Sequence, residues 1–461
     1  MFAQLLGPEI QALIQQKDFA ALKEIFREWP PADMADLIAD LPVEDQVVLF
    51  RILPHDLAGD TFEYLGRDAQ KCLLKAMGKE DVVKVINEMS PDDRTALLEE
   101  LPGSAVKELL RLLSPQELQV AQTLLGYPEK SVGRLMTPDF IAVKDDWTVE
   151  EVLDHIRDHG RDSETLNVVY VLDDRGKLID DVRIREFLLQ PLDAKVSDIR
   201  DRNFVALKVT DLEQDVVPIF RKYDRTVLPA VDSDGRLVGI VTVDDILDVA
   251  EKEATEDIQK IGGSEALDAP YLVIGIFSMI KKRAGWLALL FMGELLTSTA
   301  MTRFQDELEK LIVLGLFLPL IISSGGNSGS QATSLIIRSL ALRDVQLRDW
   351  FRVLRREMTA GLALGLVLAT IGLVRIILWQ KFGWADYSHG GKFSYMTVAW
   401  AVSCSLVGVV LWGSVMGAML PFLLRAAKFD PAVCSAPLVA TLVDVTGLVI
   451  YFEIARLMFR L

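Results

Sequence analysis

Residues 311–337 read LIVLGLFLPLIISSGGNSGSQATSLII and contain no charged side chain over 27 residues. A helix needs about 20 mostly apolar residues to cross the hydrocarbon core of a bilayer, so this stretch predicts a membrane-spanning helix. Four further stretches in the C-terminal part of the chain are similarly apolar and carry few charges. We place the predicted spans at approximately 284–302, 311–337, 357–379, 395–424 and 431–455.

Charge is distributed unevenly along the chain of 461 residues. Residues 1–270 carry 31 basic and 55 acidic side chains, whereas residues 271–461 carry 18 and 11. The acidic part argues against nucleic acid as a partner, because phosphate binding needs clustered Lys and Arg. It suits divalent cations, which relieve the repulsion between crowded carboxylates. A solvated acidic domain without bound cations is the alternative.

The basic residues that flank the spans predict the orientation of the chain in the membrane. They concentrate at 281–283, at 338–356 and around Arg425, which fall on one side of the membrane when five spans are counted. Basic flanks stay in the cytoplasm. The N-terminus shows no signal peptide, since its first lysine follows the apolar residues. We therefore expect a multi-pass protein of the cell membrane with a cytoplasmic N-terminus and an external C-terminus.

Residues 1–130 are predicted to form a helical N-terminal domain. Apolar positions recur at helical spacing in segments such as DMADLIADL and EDVVKVINEM, and Pro or Gly separates one segment from the next. Most segments begin with Asp, Glu or Ser, which favour the N-cap of a helix. Short helical units of this kind predict an α-helical solenoid, an architecture that binds partners and rarely catalyses.

Residues 131–243 contain an internal duplication of an α/β unit. Each copy reads as an extended segment, a helix, two short strands around an Asp/Gly turn, and a helix; the turns lie at 173–176 and 232–235. The copies resemble a tandem pair of cystathionine-β-synthase-type (CBS) domains. The residues that carry the resemblance are LMTP at 135–138 and GIVTVDD at 239–245.

The CBS resemblance implies that Thr242 and Asp245 hold the ribose of an adenosine nucleotide such as ATP. The first copy departs from the family pattern, because Arg183 occupies the position of a Ser or Thr. A matching first nucleotide site is therefore not expected. A CBS pair that binds no nucleotide is the alternative.

Residues 244–270 are predicted to form an acidic helix that connects the cytoplasmic part to the membrane part. Like charges three or four residues apart repel one another and oppose helix formation. A cation shared with another acidic surface would stabilise the helix, and a solvated linker face is the alternative. Its acids are Asp244, Asp245, Asp248, Glu251, Glu253, Glu256 and Asp257.

Polar residues inside the spans indicate the functional part of the membrane domain, because burial in lipid is costly unless they face a cavity or a partner. Asp444 lies in the middle of the fifth span and is a candidate ion ligand; pairing with Arg375 or a backbone donor is the alternative. In the second span, Gly325 and Gly329 have the spacing of close helix packing. The polar residues Asn327, Ser330 and Gln331 can line a hydrated path on the opposite face.

The order of these parts resembles the MgtE-type magnesium transporters. The sharpest matches are GGNSGSQAT at 325–333 and LVDVTG at 442–447. The resemblance implies a homodimer with a pore at its axis, where Asp444 selects a largely hydrated ion and Asn327 is a further candidate ligand. It also implies that cytosolic Mg²⁺ holds the pore shut. The candidate sensor ligands are Asp92, Asp93, Asp248, Glu251, Glu256 and Asp257.

Simple physical arguments favour the same function. Mg²⁺ keeps several waters and is usually bound through one or two carboxylates, which one Asp444 from each of two subunits supplies. No Walker A motif is present, which argues against ATP-driven pumping, and the four histidines show no nucleophile–base spacing, so we expect no enzyme. The resemblance then implies channel-like Mg²⁺ uptake that cytosolic Mg²⁺ closes. Co²⁺ and other divalent cations are further candidate substrates. The alternatives are a membrane-anchored nucleotide sensor and a divalent cation efflux protein.

Overall fold

The computed structural model describes residues 2–27, 29–53, 55–267, 271, 274–305, 309, 312–342, 344–388 and 394–459. These residues form two compact units, Met1–Glu251 and Lys252–Leu461. The end of the predicted connecting segment at 268–270 and residue 311 of the predicted second span lie outside the described residues. The four-part domain division stays a prediction.

The first unit begins with a series of short helices. Successive helices contact one another, and helices also contact the next but one along the chain, as in an antiparallel stack. The predicted solenoid of short amphipathic helices is therefore confirmed. The helices are α1 Phe2–Gln16, α2 Phe19–Phe26, α3 Pro31–Ala39, α4 Val43–Ile52, α5 His55–Glu63, α6 Arg67–Ala76, α7 Lys79–Glu88, α8 Pro91–Glu99, α9 Gly103–Leu110 and α10 Pro115–Leu125.

The duplicated α/β unit follows and contains two three-stranded sheets of the same design. In each sheet the middle strand pairs in parallel with the first strand and antiparallel with the third. The predicted CBS pair is therefore confirmed. The strands are β1 Ala142–Lys144, β2 Val168–Leu172, β3 Leu178–Arg183, β4 Leu207–Lys208, β5 Val227–Val231 and β6 Leu237–Thr242. The helices are α11 Val132–Leu135, α12 Val149–His159, α13 Ile184–Leu188, α14 Val196–Ile199 and α15 Glu213–Tyr223.

The two hairpin turns have matching geometry. Gly176 has φ +77° and Gly235 has φ +80°, a left-handed conformation that favours glycine. The amide of Leu178 donates to the carbonyl oxygen of Gly235 at 3.1 Å, and the amide of Leu237 donates to that of Gly176 at 3.1 Å. These reciprocal hydrogen bonds join the two copies about a pseudo-twofold axis.

Helix α16, Val243–Ile261, connects the two units. It ends at Gly262–Gly263, as the sequence predicts, and Gly263 has φ +77°. A Cβ atom at Gly263 would lie 2.8 Å from Nε1 of Trp286, so the turn fits closely against that indole. The same Nε1 donates a hydrogen bond of 3.1 Å to Oγ of Ser435.

In the described residues of the second unit, five helices are long and apolar enough to cross a membrane, as predicted. The third of them begins earlier than its charge-free run, because the arginines that precede the run continue the helix. The fifth begins at Ala436 because Pro431–Val433 forms a short 3-10 turn. The unit comprises α17 Ile276–Arg303, α18 Ile312–Gly315, α19 Leu318–Ala341, α20 Trp350–Lys381, α21 Tyr395–Ala426 and α22 Ala436–Phe459.

Glycines fix the closest helix contact of the second unit. Gly325 and Gly329 of α19 face Gly413 and Gly417 of α21, and a Cβ atom at Gly417 would overlap the carbonyl oxygen of Gly329. Small residues four apart let two helix backbones approach each other inside a bilayer. Thr333 adds a hydrogen bond of 2.9 Å to the carbonyl oxygen of Gly417. One face of the polar run in α19 is therefore packed against protein.

We predict that Gly417→Ala destabilises the membrane unit by roughly 1–3 kcal/mol, the usual cost of overpacking, because the new methyl group meets backbone atoms that cannot move aside. Gly408→Ala on the same helix is the matched control. Its methyl group would meet only flexible side-chain ends, at 3.3 Å from Cγ2 of Ile450 and 3.4 Å from Cδ1 of Ile454. Thermal unfolding in detergent measures both variants, and equal stability of the two would contradict the packing argument.

Candidate functional site

The first acidic surface is built at the start of α8. Pro91 occupies the first helical position, and Asp92 and Asp93 lie in the first turn, where the helix dipole favours negative charge. The Ser90 hydroxyl donates to Oδ2 of Asp93 at 3.2 Å, and the Ser90 amide donates to Oε1 of Glu63 at 2.6 Å. Three carboxylates therefore meet where α8 begins.

A buried arginine fixes α8 in this position. Arg94 has no exposed surface, and its Nη1 donates to the carbonyl oxygens of Ile86 at 3.2 Å and Met89 at 3.3 Å. Its Nη2 pairs with the carboxylate of Glu117 on α10. These contacts hold Arg94 in place, so it anchors the helix. In the described residues Arg94 forms no ion pair with Asp92 or Asp93.

The carboxylates of this surface are buried against one another. Asp92 is only 8% exposed, and its Oδ1 atom has no hydrogen-bond partner among the described residues. Burial, together with the charges of Asp93 and Glu164, raises the pKa of Asp92 to about 7. Burial, followed by the charge of Asp92, raises the pKa of Asp245 on α16 to about 9. At neutral pH the site therefore retains protons that a bound cation can replace.

The N-terminal half of α16 faces the same surface. Burial raises the pKa of Asp248 although Arg67 opposes it, and Glu251 adds to the rise. Arg67 also pairs with Asp93 at 3.7 Å. The structure thus brings the predicted sensor residues Asp92, Asp93, Asp248 and Glu251 into one electrostatic group.

Sequence reasoning missed two members of this group, Glu63 and Glu164, and named Asp244 only as an acid of the connecting helix. Burial raises the pKa of Glu63 to about 7, and burial with Asp244 and Asp93 raises that of Glu164. No three side chains of the described residues enclose a metal ion by themselves. The donor set still fits Mg²⁺, which keeps several waters and needs few carboxylates, and the unpartnered Oδ1 of Asp92 is a free acceptor.

The C-terminal half of α16 lies in the other unit and has different partners. Nζ of Lys260 pairs with Oδ2 of Asp430 at 3.0 Å and with Oε2 of Glu256 at 3.7 Å. Burial and the charge of Asp430 raise the pKa of Asp257. The predicted sensor acids of this helix therefore form two separate groups, and Asp430 is a further acid of the second group that the sequence did not reveal.

The predicted ribose-binding pair is intact. The Thr242 hydroxyl donates to Oδ2 of Asp245 at 2.8 Å, at the junction of β6 and α16. Asp245 belongs at the same time to the acidic surface, since Asp92 acts on its carboxyl group. Arg183 occupies the exposed end of β3 in the first copy.

Asp444 lies half-buried on α22 beside α19. A Cβ atom at Gly326 would lie 3.7 Å from Oδ1 of Asp444, so the glycine leaves room beside the carboxylate. Glu294 of α17 is within electrostatic range. Arg375, the alternative partner, lies over the ring of Trp379 at 5.5 Å, and no ion pair joins it to Asp444 in the described part of the chain.

The polar run of α19 has a face that does not pack against α21. Asn327 is exposed, and its Nδ2 donates to Oγ of Ser323 at 3.5 Å. A surface cavity of about 490 Å³ is lined by Ser330, Gln331, Ser334 and Leu335, one stripe of the helix. The two uses of this run, close packing and a polar lining, therefore occur on different faces.

Three family profiles match successive parts of the chain. Residues 29–130 match the MgtE intracellular N domain, and residues 132–190 and 196–252 match the CBS domain. Residues 318–454 match MgtE, described as a divalent cation transporter. The last match includes both α19 and α22.

Known proteins are similar over nearly the full length. The chain is 37% identical over 456 residues to the magnesium transporter MgtE of Thermus thermophilus, with 98% of each chain covered. It is 28% identical to that of Bacillus subtilis, over 96% of this chain and 95% of the relative. A solved structure of the cytosolic domain of the Mg²⁺ channel MgtE in complex with ATP is 33% identical, covers 52% of this chain and 98% of its own, and superposes with a TM-score of 0.50.

We predict that the metal-free protein loses stability as the pH rises. An acid whose pKa is raised by folding contributes stability that is complete below its unfolded pKa and is lost as the pH passes its folded pKa. For Asp92 and Asp245 these folded values are about 7 and about 9. With EDTA present, the melting temperature should therefore fall between pH 5 and 9, and added Mg²⁺ should reduce the fall.

Thermal unfolding monitored by fluorescence tests this prediction. Asp92→Asn should flatten the pH dependence, whereas Asp33→Asn, at an exposed acid of α3, should leave it unchanged. A metal-free protein with a constant melting temperature over this range would contradict the electrostatic account.

Proposed function

This chain belongs to the MgtE family, and we propose that it is a Mg²⁺-selective, channel-like uptake transporter that cytosolic Mg²⁺ closes. The observation that carries the proposal is the position of Asp444. It is an acid in a membrane-spanning helix, with no basic partner in the described residues, beside a glycine that leaves its carboxylate accessible. An unpaired carboxylate at this depth indicates an ion pathway, because lipid cannot solvate it.

The chemistry of the pathway suits a hydrated divalent ion. Asn327 and Gln331 offer amide oxygens on an exposed face of α19, and hydroxyl groups accompany them. Mg²⁺ sheds water reluctantly and needs only one or two carboxylates, so a path of this kind binds it through its waters. An inside-negative potential of 100 mV favours influx of a divalent cation by about 4.6 kcal/mol, so ATP hydrolysis is unnecessary. Co²⁺ is a further candidate substrate.

We also propose that two subunits assemble around the pathway. Asn327 and Gln331 are polar side chains on a span, and lipid satisfies neither. Helix α17 has no buried residue along its 28 residues. A second copy facing these residues across a twofold axis would enclose a wet passage and supply a second Asp444. The basic flanks place the N-terminus in the cytoplasm and the C-terminus outside.

Closure by Mg²⁺ follows from the crowded carboxylates of the first unit. When Mg²⁺ is scarce, the crowded carboxyl groups of Asp92, Asp93, Asp245 and Asp248 either hold protons, as their raised pKa values allow, or repel one another as anions. The contact between α8 and α16 is then weak. When Mg²⁺ is abundant, the ion bridges the two helices and holds α16 in place. An ion shifts an equilibrium only by its differential affinity for the two states, so several such sites produce a steep response.

ATP is a further proposed ligand of the CBS pair. The hydrogen bond between Thr242 and Asp245 keeps the arrangement that the CBS resemblance assigns to a ribose site. Because Asp245 is also part of the acidic surface, nucleotide and Mg²⁺ would act on the same end of α16.

We predict that Asp444→Ala reduces Mg²⁺ uptake into reconstituted vesicles by at least about 100-fold, since removal of the proposed carboxylate ligand leaves a divalent ion without compensation for its lost water. Glu453→Gln on the same helix is the matched control, because Glu453 is exposed and its ion pair is the one with Arg456 at 3.4 Å on the same helix. Size-exclusion chromatography checks that both variants assemble alike. Undiminished transport by Asp444→Ala would remove this residue from the pathway.

We predict that the triple change of Asp92, Asp93 and Asp248 to Asn leaves the transporter conducting at millimolar internal Mg²⁺, where the unaltered protein closes. The three amides cannot bind the bridging cation strongly enough to hold α16. The matched control changes the same amount of charge on and just after α3, at the exposed residues Asp33, Asp36 and Asp40. Normal closure of the first variant in a vesicle flux assay would show that these acids serve only solubility.

A further inference from the structure

Helix α12 carries two histidines one helical turn apart. His155 and His159 have ring centroids 4.3 Å apart with an angle of 33° between the ring planes. A capping box stabilises the N-terminus of this helix. The Thr148 hydroxyl accepts a hydrogen bond from the Glu151 amide at 3.3 Å, and the Glu151 carboxylate accepts one from the Thr148 amide at 2.8 Å. Residues four apart on a helix lie on one face, so both imidazoles point the same way.

Neighbouring groups orient both rings. The ring of Trp147 packs edge-on against His155, with centroids 5.2 Å apart at 74°. Nδ1 of His159 lies 3.1 Å from the carbonyl oxygen of His155, so the tautomer protonated at Nδ1 donates to that carbonyl and leaves Nε2 with a free lone pair. An imidazole held in this way by a backbone carbonyl is the usual arrangement of a metal-ligating histidine.

The surroundings favour a bound cation. Four acids of the same helix, Glu150, Glu151, Asp154 and Asp158, oppose a single arginine, Arg157. His159 is exposed, so an ion and its waters can reach the pair.

We propose that His155 and His159 form a binding site for one divalent transition metal ion of the class that prefers imidazole, such as Ni²⁺, Zn²⁺ or Cu²⁺. Two imidazole nitrogens supply the protein ligands, and water completes the coordination. Mg²⁺ prefers oxygen ligands and does not compete here. The first CBS copy would thus bind a class of metal different from the hard cation proposed for the acidic surface, and this assignment does not depend on the proposed transport function.

Isothermal titration of the full-length protein in detergent with NiCl₂, in a large excess of MgCl₂, tests the site. The excess Mg²⁺ occupies the carboxylate sites, so the remaining heat reports imidazole binding. We expect one Ni²⁺ per chain with a micromolar dissociation constant. His155→Asn and His159→Asn should each weaken binding by at least about tenfold, because a single imidazole remains.

Two control variants complete the test. Arg157→Gln changes an exposed residue between the histidines and should keep the Ni²⁺ affinity. His159→Cys replaces one metal ligand by another and should therefore keep much of the binding that His159→Asn loses. Unchanged melting temperatures without metal show that the variants fold. The proposal would be overturned if the unaltered protein bound no Ni²⁺, or if the His155→Asn/His159→Asn double variant bound it equally well. The two rings would then form only a packing contact.

Discussion

Carboxylates placed where bulk water cannot fully solvate them are the constraint on which the rest of this structure depends. Asp444 lies on an apolar helix beside α19, and Asp92 lies buried where α8 meets the acids of α16. In the described residues, neither carboxylate forms an ion pair with a basic side chain. Desolvated negative charge is costly unless a cation compensates it, and this cost is why we propose that both places bind a cation.

The helix packing of the membrane unit makes the first of these places accessible. The glycines of α19 and α21 bring two backbones together on one face, and this contact uses the part of the polar run that would otherwise be unsatisfied. Gly326 turns toward α22 and leaves space at the Asp444 carboxylate. The Ser330 hydroxyl ties α19 to α22 by donating to the carbonyl oxygen of Ala436 at 3.2 Å. A single run of small and polar residues therefore provides close packing on one face and, on another face, the proposed path.

The sequence predicted the fold well because its signals are local. Charge-free runs identify spanning helices, and the duplicated Asp/Gly turns identify the CBS pair without any long-range information. Helix ends were less certain, since Trp350 and the arginines after it continue α20 although they precede the apolar run. Contacts between residues distant in sequence could not be predicted from local patterns.

The candidate site was likewise predictable where the signal is local and unpredictable where it depends on contacts distant in sequence. The acids of α16 were identified from their crowding and Asp444 from its isolation, whereas Asp92 and Asp93 were candidates only through the resemblance to the MgtE-type transporters. Glu63 and Glu164 were missed because nothing in their own segments marks them, and only the folded chain brings them to the start of α8. The division of α16 into two acidic groups was also hidden, because it depends on Lys260 meeting Asp430, 170 positions away. His155 and His159 become a pair of neighbouring rings only because α12 places residues four apart on one face.

The most direct test of the central claim is Mg²⁺ flux through the unaltered protein, reconstituted in vesicles with all cytoplasmic faces turned inward. A potential that is negative inside drives the ion, while the internal Mg²⁺ concentration is varied and an internal indicator dye reports the flux. The account predicts rapid influx at micromolar internal Mg²⁺ and near-complete closure at millimolar concentration. Influx that is absent at every concentration, or that ignores internal Mg²⁺, would contradict it.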